Sequence, residues 1–143
     1  MRFPLTIALA IATALPIPAS AQDPVLPEAL ASMLEEDRAL CDDGAFSAAP
    51  GTMTEVDLDG DGVKDWLYDR GAIRCDSDLT LYCGTMGCGI TTMIGGVTGE
   101  LLLHAWRVVA EDGQTLLVAP SDNGEARFRW DAAAGAWTLL PEE

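Results

Sequence analysis

Glu125-Ala126-Arg127-Phe128-Arg129-Trp130 is the stretch that decides the fold class. Ala126, Phe128 and Trp130 fall on one side of an extended chain, and Glu125, Arg127 and Arg129 on the other. Side chains alternate across a strand, so this pattern predicts a strand with one face in a core and one in water. Half-buried strands of this kind belong to antiparallel sheets. Working outward, residues 131–135 close a hairpin to a second strand at 136–140. Residues 120–124 read as a turn and 115–119 as a strand. Glu111-Asp112-Gly113 is another turn, because Asp-Gly reaches positive φ at low cost. Residues 101–110 complete a meander as a strand, though the apolar start of that run also fits a helix.

Further toward the N-terminus, the β-branched run at 90–94 is a strand closed by Gly95-Gly96. Residues 79–82 are short and apolar, 76–78 form a turn, and 72–75, 65–69 and 52–57 read as strand pieces. Residues 44–51, rich in Ala, Gly and Pro, read as a loop. The periodicity changes before that point. Leu26, Leu30, Met33 and Leu34 recur at helical spacing, with Leu40 a further turn and a half on. Pro27 suits a first helical position and Glu28 suits the first turn, where the helix dipole favours an acid. The expectation is a helix over 27–40, ended by Asp42-Asp43-Gly44. The fold class is α+β: an N-terminal helix packed on a mostly antiparallel sheet of about five or six strands.

The sharpest motif is Asp57-Leu58-Asp59-Gly60-Asp61-Gly62-Val63-Lys64-Asp65. Calcium takes six to eight oxygens, and alternating aspartates on a curling backbone aim several carboxylates at one centre. Asp57, Asp59, Asp61 and Asp65 are the candidate side-chain ligands, with the carbonyl of Val63 as a backbone ligand. Gly62 stands where such a loop turns sharply. A solvated Asp-Gly turn explains one or two of these acids, but explains four crowded carboxylates poorly. The run resembles the first three-quarters of an EF-hand loop. It is closer still to the D-x-D-G-D-G-x-x-D loops of FG-GAP and VCBS-type exported β-proteins. It departs from the EF-hand at Tyr68, where a bidentate Glu is usual, and at Lys64, where an apolar residue is usual. Strand-like flanks also argue for a loop between strands. The resemblance implies a bound Ca2+ acting as a structural cofactor and implies no enzymatic activity. Asp69, Glu55, Asp42, Asp43 or water remain open as the last ligand.

Residues 1–21 read as a cleavable secretory signal: Arg2 at the start, an apolar run from Leu5 to Leu15, and Ala19-Ser20-Ala21 at the cut. The run is short of the ~20 residues that span a bilayer. The expected working protein is a single exported domain, residues 22–143, in the periplasm or outside the cell. Arg2 is the only charge in the signal, so the domain keeps 7 basic and 23 acidic residues, a formal charge of −16. Such a charge opposes nucleic acid and anionic membrane surfaces and favours cations or a basic protein partner. No later segment is apolar enough to span a membrane.

Cys41, Cys75, Cys83 and Cys88 all follow the signal, and an even count in a small exported domain points to two disulfides. Three pairings are open; Cys41–Cys75 with Cys83–Cys88 is favoured, because Gly84 and Gly87 let the shorter segment fold back. On the chain-entropy relation the longer loop contributes about 3.5–4 kcal/mol and the shorter about 2. A redox pair would more usually be C-x-x-C, and the zinc ligands of a metal finger are missing. The whole layout of signal, helix ending in Cys, acidic loop and C-G-x-x-G-C segment is similar to small exported bacterial proteins that lend it no biochemistry.

No catalytic constellation stands out. His104 is the sole histidine and sits in a strand-like run with Trp106 and Val108. No Ser or Cys has the context of an activated nucleophile. Trp66, Trp106, Trp130 and Trp137 at strand spacing read as core before they read as a sugar platform. The sequence therefore points to a non-enzymatic exported domain with a binding or envelope-interaction role. The alternatives are a small secreted hydrolase using acidic residues and a periplasmic inhibitor of a basic enzyme.

Overall fold

A computed structural model describes residues 25–42 and 44–141. The signal, its cut at Ala21 and the candidate ligand Asp43 lie outside the described residues. The fold is α+β: among the described residues one helix, α1 (Glu28–Leu40), precedes eleven strands. These are β1 (Phe46–Ala48), β2 (Met53–Val56), β3 (Asp65–Asp69), β4 (Ile73–Cys75), β5 (Cys83–Gly84), β6 (Gly87–Ile94), β7 (Val97–Leu103), β8 (Arg107–Glu111), β9 (Gln114–Ser121), β10 (Gly124–Asp131) and β11 (Ala136–Leu139). Every pairing is antiparallel.

The single sheet expected from sequence is instead three. β1 and β4 make a two-stranded ribbon, β11-β10-β9-β8 a four-stranded sheet, and β2, β3, β5, β6 and β7 a five-stranded sheet. In the larger sheet β6 is central: β3 pairs along one side of it with β2 beyond, β7 pairs along the other, and β5 pairs its first two residues. The split occurs inside 101–110, the run expected as one strand. β7 stops at Leu103, the chain bends through His104 and Ala105, and β8 starts at Arg107 in the other sheet. The bend packs against a residue well before it in sequence. Gly87, at φ +113°, presses so closely on this bend that a Cβ there would lie 2.4 Å from the Leu103 carbonyl carbon. Only glycine permits that approach.

Smaller departures have local causes. Residues 44–51 contain β1, whose pairing with β4 (Phe46↔Cys75) is invisible to a local reading. The chain at Arg70–Ala72 makes a 3-10 turn before β4, capped by Asp69, whose Oδ1 accepts from the Gly71 N–H at 2.7 Å. Residues 79–82 form turns, and Leu79 is exposed. β9 runs on through Pro120, which lies beyond Val118, the last residue paired with β8. Only β10 flanks the strand there, so a missing N–H is tolerated. The Gly95-Gly96 and Asp112-Gly113 turns have positive φ at both residues, as two-residue hairpins demand.

Two cores follow from β3. Leu67 points into the larger one, with Leu58, Ile90, Ile94, Leu103, Leu117, Ala119 and Trp130. Its neighbour Tyr68 points the other way, into a cluster with Leu30 of α1 and Ile73. Successive strand residues face opposite sides, so a strand buried on both faces reads as Trp66-Leu67-Tyr68. Asp37 of α1 lies in the smaller core's polar seam. It accepts from the Tyr68 hydroxyl and from Arg70 Nε at 2.7 Å, while its backbone carbonyl accepts from the Tyr82 hydroxyl. Burial and the Asp37 carboxylate both push the Tyr68 hydroxyl well above its ordinary pKa. No buried side-chain nitrogen or oxygen among the described residues lacks a partner.

Candidate metal site

The acidic run joins β2 to β3 as the loop of their hairpin, so its flanks are strands, as the sequence indicated. Leu58 anchors it. That side chain is fully buried in the larger core, between two acids that face outward. Beside it, Asp65 Oδ2 accepts from the Leu58 N–H at 2.9 Å, closing the neck of the loop. Gly60 and Gly62, at φ +83° and +87°, turn the backbone between these points. An L side chain at either position would be strained.

Asp57, Asp59 and Asp61 come together: one carboxylate oxygen from each lies within 4.8 Å of the others. Asp57 is half-buried and the other two are exposed. Backbone N–H groups hold each in place. Asp57 accepts from Gly60 at 2.6 Å and from Gly62 at 2.9 Å, Asp59 from Asp61 at 3.1 Å, and Asp61 from Val63 at 2.7 Å. Three hard anionic oxygens with no nitrogen or sulfur suit a hard cation such as Ca2+ or Mg2+. Calcium's irregular coordination tolerates such a partly solvated site better than magnesium's strict octahedron does.

The remaining sequence candidates are placed differently. Asp65 is buried outside that trio, and burial raises its carboxyl above the ordinary range against the pull of the Leu58 N–H. The charges of Asp59 and Asp61 push in the same direction as burial. Val63 is an exposed residue on the loop's outer turn. Asp69 has both oxygens engaged, by Gly71 N–H and by the Trp106 indole N–H at 2.8 Å. Glu55 is exposed on β2, opposite Trp66 in register, and Asp42 is exposed after α1.

Both disulfides join the favoured partners. Cys41–Cys75 has a Cα separation of 5.6 Å, and both residues are buried. It ties the end of α1 to β4. Cys83–Cys88 joins directly opposed residues of β5 and β6, with a Cα separation of 4.0 Å, and is half-buried.

Of the four tryptophans, Trp130 is buried and meets Trp137 edge-to-face at 5.6 Å, and Trp66 packs beside the smaller core. Trp106 also borders an open cleft with Asp69, Arg74 and His104. These residues come from separate elements, and nothing in their sequence spacing signals that they meet. No family model, no curated protein and no solved structure matches this chain.

Proposed function

We propose that this chain is an exported acidic domain that works by binding, and that residues 57–65 hold a structural calcium ion. The observation that carries the reading is the convergence of Asp57, Asp59 and Asp61 on one centre within 4.8 Å. Leu58 supports it, because a fully buried residue near the start of the loop holds the backbone in place before any ion arrives. The Val63 carbonyl, Asp65 and water are the further oxygens in this reading. Calcium then offsets the mutual repulsion of the carboxylates and clips β2 to β3.

Export agrees with two disulfides among the described residues and with the absence there of a helix long and apolar enough to cross a membrane. The α1 helix would serve as a cover for the outer face of β3, locked by Cys41–Cys75. A surplus of 23 acidic over 8 basic residues favours a basic protein partner over nucleic acid or an anionic membrane.

Titration calorimetry on the oxidised protein tests the ion. Extracellular modules bind calcium at about 10⁻⁴–10⁻³ M, and one site in that range is expected. Asp59→Asn with Asp61→Asn should abolish the heat while leaving circular dichroism unchanged. Wild-type protein with no heat at millimolar calcium would remove the assignment. Mass spectrometry of protein recovered from the envelope should find Gln22 as the first residue.

A further inference from the structure

The two cystines are in unlike surroundings. Cys41 and Cys75 are 4 % and 1 % exposed, sealed from solvent. Cys83 and Cys88 line a cleft of about 530 Å³ that opens to solvent. The same cleft is bordered by Asp69, Gly71, Arg74, His104 and Trp106. Gly71 is what keeps the cystine uncovered: a Cβ there would lie 3.2 Å from Cys88 Sγ. A side chain there would crowd that sulfur.

The cleft also presents a cation on its wall. Arg38, Arg70, Arg107 and Arg127 each pair with a carboxylate, while Arg129 reaches the Gln114 amide oxygen. Arg74 is exposed and, among the described residues, donates only to the carbonyls of Gly71 and Ile73, both at 2.7 Å. It makes no ion pair among the described residues. Asp69, the acid among the lining residues, keeps its charge but has its two oxygens turned to the Gly71 N–H and the Trp106 indole rather than to Arg74. His104 adds an imidazole whose Nε2 lies 3.1 Å from the Thr85 carbonyl oxygen.

We propose that Cys83–Cys88 is a thiol-exchange site, and that its cleft takes a low-molecular-weight thiol bearing a carboxylate. Arg74 holds the carboxylate while the thiolate reaches a sulfur. The thiolate sulfur bonds to one cysteine Sγ, the Sγ–Sγ bond breaks, and its electron pair leaves on the other cysteine as thiolate. A second thiol molecule attacks the mixed disulfide, releasing the oxidised small disulfide. The two thiol protons end on Cys83 and Cys88, so two thiols are oxidised as one cystine is reduced. Opening the bond leaves β5 joined to β6 by its two-residue ladder, Cys83↔Cys88 and Gly84↔Gly87, while Cys41–Cys75 keeps α1 on the ribbon.

The test uses the full oxidised protein, treated under native conditions with mercaptopropionate or with mercaptoethanol. Freed cysteines are trapped with iodoacetamide and mapped by peptide mass spectrometry. Cys83 and Cys88 should be labelled at least about tenfold faster than Cys41 and Cys75, with circular dichroism unchanged. Arg74→Gln should slow mercaptopropionate about threefold and leave mercaptoethanol within a factor of about 1.5. Labelling of all four cysteines together, or of Cys41 and Cys75 first, would overturn the proposal. So would an Arg74→Gln variant that slows both thiols equally or neither.

Discussion

Asp37→Ala should be among the most damaging single substitutions in the chain. Asp37 is 6 % exposed and serves both the Tyr68 hydroxyl and Arg70 Nε. Removing the carboxylate leaves the fully buried Tyr68 hydroxyl without its acceptor, a loss of about 1–3 kcal/mol. It also removes the charged partner of Arg70, whose side chain is 20 % exposed. Arg70 keeps its bond to Thr91 Oγ1 at 3.0 Å and can draw water. Its part of the loss is therefore about 1–2 kcal/mol, below the 3–5 kcal/mol typical of a fully buried pair. Together these give about 3–4 kcal/mol. For a domain of this size that lowers Tm by about 10–15 °C. Urea denaturation should show the midpoint falling with the slope retained. Tyr68→Phe should cost less in the Asp37→Ala background than in wild type, because the two share one bond. An Asp37→Ala loss below about 1 kcal/mol would refute the claim that this seam holds α1 to β3.

Gly99→Ala tests the contact between the two larger sheets: its Cβ would meet Trp130 Cζ3 at 2.7 Å and both Thr92 Oγ1 and Trp137 Cδ1 at 3.0 Å. Overpacking there should cost about 1–3 kcal/mol in denaturant melts, and an unchanged midpoint would contradict the packing. Alkaline unfolding should report Tyr68. Its folded pKa is raised, chiefly by burial. The folded state therefore keeps its proton while the unfolded chain releases one near pH 10. Stability is thus lost as pH rises above about 10, at about 1.4 kcal/mol per unit. Tyr68→Phe should flatten that slope, and a wild-type slope in the variant would contradict it.

How much of this was legible in the sequence depends on how local each cause is. β10 was largely legible: Trp130 is buried and Ala126 and Phe128 are half-buried while Glu125 and Arg129 are exposed, but Arg127 is also half-buried, paired with Glu111. α1 was legible from Leu30, Met33 and Leu34, and ends where expected at Leu40. The meeting of Asp57, Asp59 and Asp61 was legible, because carboxylate spacing is a local property. The loop's anchor was not: Leu58 looked like a spacer between acids and is fully buried. The number of sheets was illegible, because the bend after Leu103 packs against Gly87 of β6. An unbroken apolar run offers no sign of a corner that packs against distant residues. The cleft beside Cys83–Cys88 was hidden for the same reason, being assembled from β3, the 3-10 turn, β4 and the bend after β7.

The most direct test of the account is a thermal melt of the oxidised protein in calcium and in chelator. With free calcium tenfold above Kd, the ion should add about 1.4 kcal/mol. For a domain of this size that raises Tm by about 5 °C. Chelator should reverse the shift, and the Asp59→Asn, Asp61→Asn variant should not show it. A wild-type midpoint that is the same with calcium and with chelator would contradict the account.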